Sequence, residues 1–144
     1  MNFMKFSHAL ILASSLAFFA CGDDESSTGA NAGYDCTVSD GVKVVYPAGG
    51  ETFTVGQTIE VVFGTTVDVD HNIDFKKDER DVGFSLVDES YELKAPADGK
   101  TCHTVKVTLD ADRGVVSTKT GMIRVYPYSP QSKGANSKPF TVKE

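Results

Sequence analysis

The chain has 144 residues, with 20 acidic and 14 basic side chains and a formal net charge of −6. A net negative surface repels phosphate and anionic lipid headgroups, which excludes nucleic acid as a partner and excludes a polybasic patch as a means of reaching a membrane. Once a leader is set aside, the length is that of one domain able to bury a single core.

Lys5 supplies a positive start, and residues 6–20 form an uncharged, largely apolar run that ends on Ala20 before Cys21. This is the pattern of an export signal. The run is shorter than the ~20 residues needed to cross a bilayer, and the acidic, Ser-rich stretch behind it is no stop-transfer segment, so removal of residues 1–20 is predicted. The junction Ala20-Cys21-Gly22-Asp23-Asp24 resembles a bacterial lipoprotein box. That resemblance implies acylation of the Cys21 thiol, with palmitate-type chains holding the protein in the bacterial cell envelope, at the outer membrane or cell surface. Phe18 and Phe19 depart from the usual Leu and small residue of the box, which leaves ordinary cleavage after Ala17 as the alternative.

Three cysteines in an exported chain leave one over unless lipidation consumes it. With Cys21 acylated, Cys36 and Cys102 are predicted to pair in an oxidising compartment, closing a long loop worth about 4 kcal/mol on the chain-entropy estimate. Two buried thiols are the alternative. Residues 21–33 contain nothing large and apolar to bury and read as a flexible acidic Ser/Gly tether. The chain without residues 1–20 has 13 basic against 20 acidic side chains, a charge of −7.

Residues 34–144 are the predicted domain. They open on a corner: an apolar strand, then Pro47, which removes a ladder donor, then Gly49 and Gly50, which allow backbone angles closed to other residues. Residues 52–55 and 59–63 follow as strands on either side of Gly56. Further strands are predicted at 82–87, 101–109, 121–126 and 138–143, with shorter ones at 72–75 and 91–93. Turns are marked by Asp98-Gly99, Arg113-Gly114 and the stretch 127–134. No helical period competes, and the spacing predicts an all-β antiparallel sandwich of about seven strands.

Pro47, Gly49, Gly50, Glu51, Thr52, Val55, Gly56, Thr58 and Ile59, together with a closing strand carrying Ser137, Pro139, Phe140, Thr141 and Val142, make a second resemblance. They look like the repeat at the N-terminus of the fungal cell-wall β-glucan assembly family, also found in many bacterial surface proteins. The family often has Trp where this chain has Phe53 and Phe63. The resemblance implies an Ig-like, fibronectin-III-like sandwich without catalytic residues.

Alternation predicts which side chains meet inside. Val105, Val107 and Leu109 share one parity; Ile123, Val125, Phe140 and Val142 share another inward set; Val61, Phe63, Phe84 and Leu86 are assigned to the core. Arg124, Thr141 and Lys143 face water. Cys102 has the outward parity, so its bond to Cys36 is predicted to pin the entering segment across the outside of a sheet.

Three candidate sites emerge. Asp68, Asp70, Asn72, Asp74 and Glu79 occupy the first, third, fifth, seventh and twelfth places of a calcium loop, although Ile73 stands where glycine makes the turn. Tyr126 and Tyr128 flank a proline, and Tyr126 has the outward parity, a display that suits stacking on a sugar. His71 and His103 have no recognisable catalytic partner, and His103 reads as a hydrogen-bonded histidine at a sheet end. No nucleophile elbow, phosphate loop or zinc spacing is present. The chain therefore reads as a non-catalytic, envelope-anchored binding or structural module for surface polysaccharide or protein, with no cofactor. A calcium-stabilised spacer without its own ligand is the alternative.

Overall fold

The computed structural model describes residues 33–144. The leader, the box at Cys21 and the tether to residue 32 lie outside the described residues.

Nine strands among the described residues form two layers. β1 (Val42–Tyr46), β3 (Thr58–Thr65) and β6 (His103–Thr108) make a three-stranded antiparallel sheet in the order β1-β3-β6. The second sheet runs β2-β9-β7-β4-β5, with β2 (Thr52–Thr54), β4 (His71–Lys76), β5 (Phe84–Ser85), β7 (Thr118–Pro127) and β9 (Phe140–Lys143); β8 (Ala135–Asn136) also pairs with β7. β2 and β9 are parallel, and the other pairs are antiparallel. The chain is thus an all-β sandwich.

The Pro-Gly-Gly corner passes the chain from one layer to the other, since β1 and β2 lie in different sheets. Gly49 and Gly50 both have positive φ, 112° and 86°, and the Glu51 carboxylate accepts from the Ala48 and Gly49 amides at 2.6 and 2.8 Å. Gly50 N–H donates to Pro139 O, and Thr52 pairs with Thr141. The two stretches that carry the cell-wall-family resemblance are therefore neighbours in space.

The alternation rule places most of the core. Val61, Phe63, Ile73, Phe75, Leu109, Ile123 and Val125 have no exposure, and Phe140 and Val142 almost none. Phe84 differs from expectation and is 50% exposed. It pairs with Phe75, so its parity is inward, but β5 shrinks to two residues at the sheet edge and the ring overhangs the core. Gly114 lies close against it. The expected strand at 82–87 is reduced to those two residues, whereas the short candidate at 72–75 is a full strand and residue Tyr91 makes an isolated bridge to His71.

Cys36 and Cys102, 66 positions apart in sequence, form a disulfide. The Cys36 backbone crosses the outward face of β3: a Cβ added to Gly64 would collide with the Cys36 carbonyl. Val62, two residues away on the same parity, has no exposure. The bond staples the entry segment over the three-stranded sheet, outside the core, as the parity of Cys102 required.

Candidate functional site

Strand alternation puts the polar residues of β4 and β7 on the outer face of the larger sheet. Asn72 and Asp74 from β4 stand opposite Tyr126 and Arg124 from β7, and Arg124 stands opposite Asn136 from β8. Neighbouring side chains on a pleated face are close enough to interact. The Arg124 guanidinium lies over the Tyr126 ring, 5.6 Å from its centroid, and donates to Asn136 Oδ1 at 3.3 Å and to the Gln131 carbonyl at 3.2 Å. Ser90 Oγ donates to Asn72 Oδ1 at 3.1 Å.

Asp74 is the unusual member. It is only 8% exposed although it points to the outer face, and its carboxylate accepts from Tyr126 Oη at 3.5 Å, the long limit for such a contact. Burial raises its pKa above the usual carboxylate value, opposed by the tyrosine hydroxyl and by the Arg124 charge. Burial and then Asp74 raise that of Tyr126. A carboxylate desolvated this far and bonded this weakly has acceptor capacity to offer an incoming hydroxyl or amide. Tyr128 continues the row and is 67% exposed, with its backbone N–H held by Asp70 O at 2.8 Å.

No family model matches the chain, and no curated protein or solved structure matches it. What the face can do follows from its own geometry.

Of the two tyrosines picked from sequence, Tyr128 displays its ring and Tyr126 does not, because Arg124 covers one of its faces and it is half-buried beside Asp74. The calcium-loop residues are not gathered about a point. β4 runs extended through the stretch, with Asn72 engaged by Ser90 and Asp74 beside Tyr126 on the outer face, while Asp68 and Asp70 precede the strand and Glu79 follows it. An extended strand cannot wrap an ion as a twelve-residue loop does, and among the described residues no group of three His, Cys, Asp or Glu could hold a metal.

The histidines are interior. His71 has no exposure, and its Nδ1 lies 2.8 Å from Val69 O and its Nε2 2.9 Å from Thr65 Oγ1. A carbonyl can only accept, so Nδ1 carries the proton, and Nε2 accepts from the Thr65 hydroxyl, which itself accepts from Val67 N–H at 3.0 Å. His103 is buried where β6 begins; its ring nitrogens make no well-formed hydrogen bond, but the Pro96 carbonyl lies close enough to favour the protonated ring. The His103 ring stacks on Phe63 at 5.3 Å, and His71 meets Phe63 at 5.4 Å, so one phenyl ring contacts both imidazoles. Burial lowers the pKa of both, and neither faces a surface where a base could act.

Sequence reasoning gave Asp74 to a metal and Arg124 to water. Their shared parity on adjacent strands was readable; the pairing of β4 with β7 was not.

Proposed function

We propose that the protein is a non-catalytic Ig-like binding module of the bacterial cell envelope, held there by acyl chains on Cys21, and that the outer face of its six-stranded sheet takes a surface polysaccharide. The observation that carries the reading is Asp74, a nearly buried carboxylate with one long hydrogen bond, beside the Arg124 donors and the open Tyr128 ring. Sugars present ring hydroxyls to such acceptors and donors and an apolar face to such rings. The export signal, the lipoprotein box and the cell-wall-family resemblance support the same setting. A glycan array probed with the soluble domain tests it: saturable binding should be lost in Asp74→Asn and in Tyr128→Ala. The reading fails if no glycan binds, or if both variants bind as the parent does. Incorporation of labelled palmitate, abolished by Cys21→Ser, tests the anchor separately.

A further inference from the structure

A second surface feature lies far from that face in topology, at the edge of the three-stranded sheet. The ladder between β1 and β3 slips between Val44 and Tyr46: Val44 stands opposite core-facing Phe63, whereas Tyr46 stands opposite Val62. A bulge of this kind re-aims a side chain, here Tyr46. The entry segment, stapled by the Cys36–Cys102 bond, brings Tyr34 to it, with ring centroids 6.0 Å apart and planes inclined by 58°. Together with Phe53, Gln57, Thr58 and Glu60 the two rings line a cleft of about 310 Å³.

The polar rim is partly committed. Gln57 Oε1 accepts from Thr54 N–H at 3.0 Å, and the Thr58 hydroxyl lies 2.9 Å from that of Thr108. Glu60 is different: it is exposed, its register partner is Lys106, and no ion pair joins the two among the described residues. No lysine or arginine lines the cleft. Burial raises the pKa of Tyr46, with smaller contributions in the same direction from Glu51, Tyr34 and Glu60. The Glu51 carboxylate is engaged by the Ala48 and Gly49 amides.

We propose that this cleft binds an alkylammonium group, with the Tyr34 and Tyr46 rings contacting the cation and Glu60 balancing its charge. Aromatic faces attract ammonium through their quadrupole within about 6 Å of the centroid. A single unpaired carboxylate beside them, on a chain of net charge −6, supplies the complementary charge. The assignment is independent of the polysaccharide reading, because it uses none of Asp74, Arg124, Tyr126 or Tyr128.

The test is an NMR titration of the full chain, disulfide intact, with tyrosine rings isotope-labelled; the chain has five tyrosines, so Tyr126 and Tyr128 serve as internal references. Tetramethylammonium and methylammonium are the probes, with tert-butanol as the neutral isostere and methyl glucoside as the sugar control. Saturable shifts of Tyr34 and Tyr46 are expected with at least one ammonium ion and with neither neutral probe, weakening as salt rises. Tyr34→Ala and Tyr46→Ala should each lower affinity roughly two- to fivefold, Tyr34→Phe and Tyr46→Phe should retain it, and Glu60→Gln should weaken it without disturbing the fold. Reduction and alkylation of the disulfide should weaken it as well, by freeing Tyr34. The proposal is overturned if neither ammonium ion moves these rings, if tert-butanol or the glucoside moves them equally, or if Glu60→Gln leaves the titration unchanged.

Discussion

The two sheets treat their outer faces differently. The three-stranded sheet hides the apolar end of its outer face, where the entry segment lies over Gly64, Val62 has no exposure and a covalent bond holds the cover in place, while Thr58, Glu60, Lys106 and Thr108 at the other end stay exposed. The six-stranded sheet leaves its face to water and fills it with Arg124, Tyr126, Asn72 and a nearly buried Asp74. An apolar outer face must be covered, and a short covering segment with few contacts of its own needs a staple. A polar face needs only that its donors and acceptors meet, and where one is left over, a ligand can complete it.

The largest effect is expected at the staple. Replacing Cys36 and Cys102 by Ser should lower stability by about 4 kcal/mol, and hydrogen exchange should show the entry segment opening before the core strands. Simultaneous loss of protection in both sheets would break the contrast. Gly64→Ala should cost about 2 kcal/mol by forcing the Cys36 backbone off the sheet, measurable by denaturant unfolding; a variant as stable as the parent would show that the cover is not seated there.

Acidification comes next and acts on the interior between the two faces. The pKa values of His71 and His103 are lowered by burial, so the unfolded chain binds protons more readily than the folded one. Their contribution is fully present above the unfolded value near 6.5 and falls as pH drops below it, by at most about 1.4 kcal/mol per pH unit for each histidine. His103→Phe, which removes the titrating ring but keeps an aromatic against Phe63, should flatten the melting-temperature profile between pH 6.5 and 5. Asp74 has the opposite sign. Its pKa is raised, so the folded state holds its proton more tightly and stability from this group declines as pH rises through the folded value. Asp74→Asn should therefore raise the melting temperature slightly at neutral pH and steepen the acid loss, while abolishing ligand binding. A fall at neutral pH would mean that Asp74 is better satisfied than its 3.5 Å contact indicates. The smallest effect is expected from calcium, which should leave the melting temperature unchanged against chelator because β4 runs extended through the acidic stretch; a rise would show that Asp68, Asp70 and Glu79 converge after all.

Much of the scaffold was legible in the residues. The positive φ at Gly49 and Gly50 marks a corner that only glycine takes easily, and the period-two alternation of Val107 with Leu109 and of Ile123 with Val125 marks the inner faces. The cysteine parity pointed to the Cys36–Cys102 bond, and the outward parity of Cys102 gave its side of the sheet. The site was less legible. Phe84 has the right parity and chemistry for the core, yet being on a two-residue edge strand exposes it. The slip that turns Tyr46 toward Tyr34 is a property of two strands together and leaves no mark in one of them.

By itself the sequence determined the local facts: which segments extend, where the chain must turn, which side chains share a face and which cysteines can pair. These depend on near neighbours along the chain, through sterics and alternation. Which strand lies beside which was decided only in three dimensions, because ladder partners such as Asp74 and Arg124 are fifty residues apart and are chosen by how the whole core closes. The binding face and the tyrosine cleft are both products of that choice.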